Sequence, residues 1–439
     1  MRRIIGRSSL ARTIEFVSDP RGRGHRAASA VSTGSCNAAR RTTKRRDERP
    51  KPRAMLLIFA EHAPAMTLPD PDRERRAAAL LHHRGATLLP GESTTTPLVA
   101  STTFHLPPAD EVSSFYYGRA GMPVWEAVES ELAILEAAPS LLFPSGMAAI
   151  TATLMATLEV GSTVLVPSDG YFATRRLAER VLSRFGITVR ECPTSSLADA
   201  DFRGVALVFV ETPSNPALDV CDIALVAERA HAAGALVVAD NTTSTAYLQR
   251  PLDLGADVVV AADTKAPAGH SDALAGHVSS RDTAVMERVR EWRTLGGAIP
   301  GPFETWLLQR GLVTLELRLE RMCRSAQALA DALISQTMVS GLRYPGLPDD
   351  PSHAIAARQM TGFGTIVSFE LDGTDRAARF IERCPQLASA TSFGGVHSSA
   401  ERRARWGDAV APGFIRLSVG CEPTAGLIAA VLETLKALD

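Results

Sequence analysis

The chain has 439 residues, more than one ordinary domain core contains and enough for two or three. Hydrophobic residues make up 45% and charged residues 22%, which is typical of globular proteins, and no apolar run approaches the length of about 18 residues that a membrane helix needs. Residues 1–65 contain 15 Lys and Arg against 5 Asp and Glu. Because the net charge of the whole chain is −1, the residues after position 65 carry a negative net charge. Neither a nucleic acid nor a membrane is therefore expected as a partner.

The six cysteines are widely and irregularly spaced and include no Cys-x-x-Cys pair. This pattern favours free thiols and a cytoplasmic protein. Spacing of the kind found in zinc sites is absent, and no metal is expected.

Residues 1–65 are rich in Arg, Ser, Gly and Ala and show no sustained apolar period, which predicts a disordered extension. Three interpretations remain open. The true start is Met55 or Met66, or the segment is a targeting peptide, or it is a basic arm for an acidic partner.

From about residue 75, short apolar runs rich in β-branched residues alternate with helical stretches. Such runs are typical of strands that are buried on both faces, and the alternation predicts an α/β domain with a mostly parallel sheet. A helix is predicted over residues 223–233, ending at Gly234. The clearest predicted strands cover residues 163–166, 205–210, 235–239 and 258–262.

After about residue 305 the pattern changes. A long helical stretch rich in Leu and Arg is predicted over residues 306–333, and a closing helix over residues 424–438. This pattern is typical of a smaller α/β domain.

Polar residues follow three of the four predicted strands. Glu211 follows one strand, Asp240 the next, and residues 263–265 (Asp-Thr-Lys) the last. Ligands of parallel sheets bind beyond the carboxyl ends of the strands, so a site is predicted at this edge.

Lysine is unusually rare in the folded part of the chain. After residue 65 there are 30 arginines but only two lysines, Lys265 and Lys436. Arginine can replace lysine on a surface, but its guanidinium does not lose its proton and cannot attack a carbonyl. Lys436 lies in the closing helix, where a solvated role suffices. Lys265 follows a buried strand, which favours a Schiff-base lysine; a salt-bridged lysine at the sheet edge is the alternative.

Three further features favour pyridoxal phosphate (PLP) as the cofactor. Asp240 can keep the pyridine nitrogen protonated, although a lone Asp at this position often only caps a helix. Residues 145–150 (Ser-Gly-Met-Ala-Ala-Ile) predict a helix start that can bind a phosphate. Tyr171 can stack on the ring. Each signal alone is weak, but their coincidence at strand ends predicts a PLP site.

Several ordered motifs carry a family resemblance. They are residues 211–216 (Glu-Thr-Pro-Ser-Asn-Pro), 239–242 (Ala-Asp-Asn-Thr), 263–265 (Asp-Thr-Lys) and 269–272 (Gly-His-Ser-Asp). Together they resemble the Cys/Met-metabolism PLP enzymes, which include cystathionine γ-synthases, cystathionine β- and γ-lyases and methionine γ-lyases. The resemblance covers roughly residues 80–439 and implies a PLP-dependent transferase fold of type I, like that of aspartate aminotransferase.

The resemblance also implies the cofactor site. Lys265 would bind PLP covalently and move protons, and Tyr171 would stack on the ring and assist proton transfer. The remaining cofactor-binding residues would be Gly146, Met147, Asp240, Asn215 and Thr264. The resemblance also implies a homodimer or homotetramer, in which Tyr117 and Arg119 would reach the phosphate of the PLP bound to the partner subunit.

The substrate is expected to be a small sulfur amino acid. Arg416 would bind its α-carboxylate in a bidentate pair, assisted by Ser392. Arg176 would bind a distal carboxylate, such as that of cystathionine. Thr391, which precedes Ser392, would influence the reaction.

The sequence departs from the family pattern at four positions. Ala262 stands where the family has a phosphate-binding Ser, Met122 where it has Asn, and His397 where it has Glu. Thr391 matches neither the Glu of γ-lyases and γ-synthases, nor the apolar residue of methionine γ-lyases, nor the aromatic residue of β-lyases.

The leading functional expectation is a PLP-dependent C–S lyase of transsulfuration, a cystathionine γ-lyase. A γ-synthase-type transferase and a methionine γ-lyase are the alternatives, and a non-enzymatic PLP-binding protein is a more distant one. The charged cluster at residues 401–406 is expected to form a solvated or interface surface.

The expected organisation has four parts. They are a disordered extension or misassigned start over residues 1–65, an N-terminal arm over 66–117, a PLP-binding large domain over 118–305 and a small C-terminal domain over 306–439.

Overall fold

The computed structural model describes residues 71–82, 88–108, 111 and 113–438. The expectations for residues 1–65 lie outside the described residues. Within the described residues, no helix is long and apolar enough to cross a membrane.

Helices surround two β-sheets. The α-helices are α1 Pro71–His82, α2 Pro123–Glu136, α3 Gly146–Thr157, α4 Phe172–Arg180, α5 Ile223–Ala232, α6 Thr245–Leu248, α7 Thr283–Gly296, α8 Pro302–Leu312, α9 Leu315–Leu333, α10 His353–Gln359, α11 Gly373–Arg383 and α12 Thr424–Lys436. Short 3₁₀ helices cover Leu182–Phe185, Thr194–Asp199, Pro251–Leu254 and Arg403–Trp406.

The larger sheet has seven strands in the order β1-β7-β6-β5-β4-β2-β3. Strands β2 to β6 run parallel to one another, and β7 is antiparallel to its two neighbours. This confirms the mostly parallel sheet, and the four predicted strands are β2, β4, β5 and β6 with slightly shifted ends. The strands are β1 Ser140–Phe143, β2 Thr163–Pro167, β3 Thr188–Cys192, β4 Leu207–Glu211, β5 Leu236–Asp240, β6 Val258–Ala261 and β7 Gly276–Ser280.

Both faces of this sheet are covered, which is why its central strands are apolar throughout. Side chains of α3 and α7 belong to the core on one face, and side chains of α5 belong to the core on the other. Helix α5 begins after Asp222, whose carboxylate accepts a hydrogen bond from the N–H of Leu225 at 3.1 Å. It ends before Gly234, which has a φ of +81°. The predicted helix over residues 223–233 therefore forms.

The smaller sheet has five strands in the order β10-β11-β12-β9-β8, all antiparallel except the β10–β11 pair. Helices α9, α11 and α12 contribute to its core, in which Phe369 and Phe380 meet edge to face at 5.7 Å. The strands are β8 Ser340–Arg343, β9 Ile366–Glu370, β10 Ala388–Ser389, β11 Ser399–Arg402 and β12 Phe414–Ser418.

The single helical stretch expected over residues 306–333 is wrong, because the structure has two helices there, α8 and α9. The N–H and the hydroxyl of Thr314 both donate to the carbonyl of Gly311 at 3.2 Å and close a turn between the helices. Gly311 also packs so closely on Ala268 that a Cβ at position 311 would lie 2.4 Å from its carbonyl oxygen. The turn at Thr314 separates the two helices, and Gly311 allows α8 to lie close to the segment after Lys265.

Candidate active site

A cavity of about 300 Å³ lies at the carboxyl ends of β4, β5 and β6. Its wall includes the ends of these strands and the start of α3, all in the larger sheet and its helices. The start of α4 and Leu274, before β7, add to this part of the wall. The opposite part comes from β12 and from the segments that follow β10 and β11 in the smaller sheet. The cavity therefore lies where the two sheets meet.

Lys265 follows β6 and lies in the wall of this cavity. Its Nζ donates a hydrogen bond to Oγ of Ser392 at 2.7 Å and lies 5.0 Å from the ring centroid of Phe393. Burial, and then the positive charge of Arg416, lower the pKa of the Lys265 amine to about 8. A fraction of this amine is therefore neutral and nucleophilic near neutral pH.

Two carboxyl groups lie side by side at neighbouring strand ends. Asp240 pairs with Glu211 in the register of β5 and β4, and both are buried. Asp240 accepts hydrogen bonds from the N–H and the hydroxyl of Thr242, and burial raises the pKa of its carboxyl group. Burial, and then the charge of Asp240, raise the pKa of Glu211 to about 8. Two buried carboxyl groups at neighbouring positions favour a cation bound between or beside them, because a positive charge stabilises their ionised forms.

Glu211 also connects two residues that the sequence analysis assigned to the cofactor. Its carboxyl group accepts a hydrogen bond from the N–H of Tyr171 at 2.6 Å and from the N–H of Asn215 at 2.9 Å. In the sequence, Glu211 follows a predicted strand, but no role was predicted for it. Its position in the same motif as Asn215 was the available signal.

Helix α3 begins at the cavity. Oγ of Ser145 caps it by accepting from the N–H of Ala148 at 3.1 Å. Gly146 and Met147 follow in the first turn, whose N–H groups have no partner inside the helix and can bind an anion. A Cβ on Gly146 would lie 2.5 Å from the Cβ of Ala262, so glycine allows the helix to approach β6 closely.

Thr264 lines the cavity, but its hydroxyl also has partners within the protein. It donates to the carbonyl of Ala275 at 3.1 Å and accepts from the N–H of Ala275 at 3.0 Å. These bonds connect the turn that contains Lys265 to the chain just before β7.

Tyr171 immediately precedes α4, and its side chain lines the cavity beside Phe172, the two ring centroids being 5.0 Å apart. Burial is the largest influence on its hydroxyl and raises the pKa of Tyr171, with the arginines Arg403 and Arg416 opposing that rise. The hydroxyl therefore keeps its proton near neutral pH.

Arg416, in β12, is only 3% exposed. It donates hydrogen bonds to Oδ1 of Asn215 and, at 2.8 Å, to the carbonyl of Ser392, and its guanidinium lies 5.1 Å from the ring centroid of Phe393. Burial, and then the charge of Arg403, lower the pKa of Arg416 to about 10. The structure thus brings Arg416, Ser392, Asn215 and Lys265 together around one cavity.

The segment from Glu401 to Asp408 corrects a sequence expectation. Residues 401–406 were expected to form a solvated or interface surface, but Glu401 and Arg403 are buried. Glu401 binds Arg416, Nη1 of Arg403 at 2.8 Å and Nε1 of Trp406 at 2.8 Å. Asp408 accepts from Nε of Arg403 at 2.7 Å.

Arg403 and Trp406 line the cavity. A run of charged residues usually indicates a solvated surface. The expectation holds for Arg405, which is exposed, but is wrong for Glu401, whose partner Arg416 lies on the neighbouring strand. The alternation of acidic and basic residues was the only local signal.

Three predicted residues lie outside the described wall of the cavity. Arg119 is exposed, donates to the carbonyl of Thr294 at 3.1 Å and lies 5.5 Å from the ring centroid of Tyr117. Arg176 is exposed, and its guanidinium lies 5.2 Å from the ring centroid of Phe172. The roles expected for Tyr117, Arg119 and Arg176 stay predictions. Thr391, by contrast, lines the cavity.

The residues around the cavity fit PLP in three respects. Lys265 offers an amine of lowered pKa for an aldehyde, and Asp240 offers a buried carboxyl group for a pyridine nitrogen. The glycine at the start of α3 leaves backbone N–H groups accessible to a phosphate.

The chain belongs to the Cys/Met metabolism PLP-dependent enzyme family, whose model matches residues 81–436. The fold class and the PLP cofactor expected from the sequence are thereby confirmed.

The relatives are named for different activities. A Streptomyces coelicolor protein with a provisional name as a cystathionine γ-lyase is 49% identical over 348 residues, which are 78% of this chain and 88% of that protein. A structure of the cystathionine γ-synthase from Xanthomonas oryzae in complex with aminoacrylate and cysteine is similar with a TM-score of 0.79 at 34% identity, covering 83% of this chain and 98% of that one. A structure of an apo methionine γ-lyase from Micromonospora echinospora has a TM-score of 0.77 at 38% identity, covering 82% of this chain and 99% of that one.

Proposed function

We propose that this protein is a cystathionine γ-lyase, a PLP-dependent C–S lyase of transsulfuration. One observation carries the proposal. Ser392 accepts a hydrogen bond from the amine of Lys265 through its hydroxyl and one from Arg416 through its carbonyl. A proton-transfer group and a carboxylate-binding group therefore lie on either side of one residue, as the chemistry at Cα of an amino acid requires. The identity of 49% with the Streptomyces relative supports the choice of substrate.

Four residues would hold the cofactor. Lys265 would bind it covalently, Asp240 would pair with its pyridine nitrogen, and Gly146 and Met147 would bind its phosphate through their N–H groups. When bound, PLP supplies a ring that withdraws electrons from Cα of the substrate.

Arg416 would position the substrate. Its guanidinium is held between Asn215, Glu401 and the Ser392 carbonyl, so its orientation is set before a substrate arrives. A bidentate pair with the α-carboxylate would place Cα near the amine of Lys265.

Lys265 and Tyr171 would move the protons. The amine of Lys265, with its lowered pKa, would take the Cα proton as a general base. Expulsion of sulfur from Cγ also requires the loss of a Cβ proton, which the same amine would take after it has passed the first proton to the bound cofactor. Tyr171 keeps its proton at neutral pH and would give it to the departing sulfur. Glu211 binds the backbone N–H of Tyr171 and would hold it in place.

Product identification tests the proposal. With cystathionine, γ-elimination releases cysteine, 2-oxobutanoate and ammonia, whereas β-elimination releases homocysteine, pyruvate and ammonia. We expect cysteine and 2-oxobutanoate as the major products, and homocysteine with pyruvate would contradict the γ-lyase assignment. Cystathionine formed from an O-acylhomoserine and cysteine would identify a γ-synthase-type transferase instead.

A methionine γ-lyase is the second candidate. Arg176, the residue expected to bind a distal carboxylate, is exposed and lies outside the described wall of the cavity. Thr391 also lacks the charge of the Glu found in γ-lyases. Faster release of methanethiol from methionine than of cysteine from cystathionine would favour this candidate.

Assembly and location complete the proposal. Tyr117 and Arg119 are both exposed, which suits residues that would complete the cofactor site of a partner subunit in a homodimer or homotetramer. The cysteines that the structure describes are free, which supports a cytoplasmic location.

A further inference from the structure

A buried group of three charged side chains lies beside the cavity without lining it. His277, in β7, is 3% exposed. Its Nδ1 lies 2.9 Å from both carboxylate oxygens of Asp263, and its Nε2 lies 3.2 Å from Oε1 of Glu136 at the end of α2. The two carboxyl groups therefore hold the imidazole from opposite sides.

His277 is charged in the folded protein. Burial opposes the imidazolium, but the charges and hydrogen bonds of Asp263 and Glu136 outweigh it and raise the pKa of His277 to about 10. The group contains one imidazole and two carboxyl groups, so removing His277 leaves the carboxyl groups without a counter-charge, whereas removing one carboxyl group leaves a balanced pair.

One side of this group belongs to the turn that carries the catalytic lysine. Asp263 precedes Thr264 and Lys265, and its carbonyl accepts from the N–H of Ala268 at 2.9 Å. The hydroxyl of Thr264 hydrogen-bonds to the backbone of Ala275, which lies two residues before His277. The turn is thus attached to the start of β7 at two adjacent places, once by Thr264 and once by the ion pair of Asp263 with His277.

The imidazolium also acts on Asp240. Its positive charge is among the influences that oppose the rise of the Asp240 pKa, after the bonds from Thr242 and the charge of Lys265. A positive charge at position 277 therefore favours the ionised carboxylate that a pyridine nitrogen needs.

We propose that the Asp263–His277 pair is a positioning device for Lys265 and Thr264, which sets how tightly the protein holds PLP and how the bound cofactor titrates. Asp263 anchors the lysine turn to His277 and is the larger influence that keeps His277 charged, whereas Glu136 is the second partner of its ring. The inference rests on the cofactor but not on the substrate, so it goes beyond the proposed function and survives a different substrate assignment.

A metal site is the first alternative. Asp263 and Glu136 each hydrogen-bond to His277, and in the part of the chain that the structure describes no group of three or more His, Cys, Asp or Glu is arranged to hold a metal ion. The second alternative is that the group only stabilises the fold, and an experiment must separate that role from positioning.

Asp263→Asn and Glu136→Gln form a matched pair for this purpose. Each removes one carboxylate from His277, but only Asp263 belongs to the lysine turn. The readouts on holoprotein and reconstituted apoprotein are the Kd of PLP, the pH midpoint of the visible absorbance of the bound cofactor, and the Tm. None of them uses turnover, so they are independent of the proposed lyase activity.

We expect both variants to lower the Tm. Asp263→Asn should also weaken PLP binding about tenfold or more and shift the pH midpoint, because a charge-assisted bond to the lysine turn is lost. Glu136→Gln should leave the Kd and the midpoint close to those of the wild type. Equal changes of both cofactor readouts in the two variants would overturn the proposal.

A triple variant covers the case in which Asp263→Asn does not fold. Glu136→Gln/Asp263→Ala/His277→Ala leaves no buried charge in the group and is expected to fold. Wild-type PLP affinity with an unchanged pH midpoint in this variant would overturn the proposal, and a weaker affinity with a shifted midpoint would support it. His231→Ala is the control, because His231 is also paired with a carboxylate, Asp257, at 2.9 Å but is partly exposed.

Discussion

The amine of Lys265 donates a hydrogen bond to the hydroxyl of Ser392 at 2.7 Å, although Lys265 follows a strand of the larger sheet and Ser392 follows a strand of the smaller one. Ser392 holds this position with a φ of +79°, in the left-handed region that favours glycine. Strained backbone of this kind is concentrated at functional sites, and here it lies beside the amine of Lys265.

Ser392→Ala and Ser392→Gly separate the hydroxyl from the backbone. Both should lower kcat/KM by about ten- to a hundredfold, the effect of losing a hydrogen bond to a charged group. The glycine variant should be more stable than the alanine variant by about 1 kcal/mol, because only glycine adopts this φ without strain. Urea unfolding and steady-state kinetics measure the two effects. Equal stability of the variants would contradict the left-handed backbone.

Lys265 should be the site of covalent cofactor attachment, and the rate of attachment should depend on pH. Burial and then Arg416 lower the pKa of its amine to about 8, so the neutral fraction, about a tenth at pH 7, rises as the pH increases through 8. Stopped-flow absorbance of apoprotein mixed with PLP between pH 6.5 and 9 should follow this rise.

Borohydride reduction and peptide mapping provide the corresponding control. Lys265→Ala should abolish the label, and Lys436→Ala, at the end of α12, should leave it unchanged. A label on any other residue of the wild-type protein would refute the assignment.

Hybrid dimers test whether Arg119 serves the partner subunit. A Lys265→Ala subunit paired with an Arg119→Ala subunit contains one intact site, if Arg119 acts across the interface. Random exchange of equal amounts should therefore recover about a quarter of wild-type activity from two nearly inactive proteins. Subunit exchange without recovery, confirmed by mass spectrometry, would count against a shared site.

Arg176 should determine the preference for a substrate with two carboxylates. Arg176→Ala should lower kcat/KM for cystathionine by about ten- to a hundredfold and change that for methionine little, because methionine has no second carboxylate. Arg180→Ala, an exposed arginine on the same helix, is the matched control. A loss of equal size for both substrates would show that Arg176 does not bind the distal carboxylate.

The charged state of His277 predicts how stability depends on pH. Because folding raises the pKa of His277 from 6.5 to about 10, its contribution is complete below about pH 6.5 and is lost as the pH rises through 10. The free energy of unfolding should therefore fall more steeply between pH 7 and 10 in the wild type than in Glu136→Gln/Asp263→Ala/His277→Ala. Urea titrations at saturating PLP measure both slopes, and parallel slopes would mean that His277 is not charged in the folded state.

The sequence predicted that Asp240 and Lys265 would lie at one site, and both line the cavity, for a physical reason. Strands buried on both faces are apolar, so the polar residues that interrupt them stand out, and Asp240 and Lys265 were recognised in this way. The scarcity of lysine made Lys265 more conspicuous still. Such signals are local and need no knowledge of the fold.

Other features depend on contacts between distant segments and could not be predicted. Glu401 and Arg403 look like surface residues until Arg416 of the neighbouring strand is placed beside them. The two carboxylates that bind His277 belong to Glu136, at the end of α2, and to Asp263, in the turn after β6.

The division of the cavity between two sheets makes it suitable for redesign. The residues that would capture PLP follow strands of the larger sheet, whereas Thr391, Arg403 and Trp406 lie on segments of the smaller sheet. Libraries confined to those segments would vary the choice of amino acid while leaving the lysine turn and the start of α3 untouched. New substrate preferences could then be selected from variants that already carry their cofactor and can be recognised by its colour.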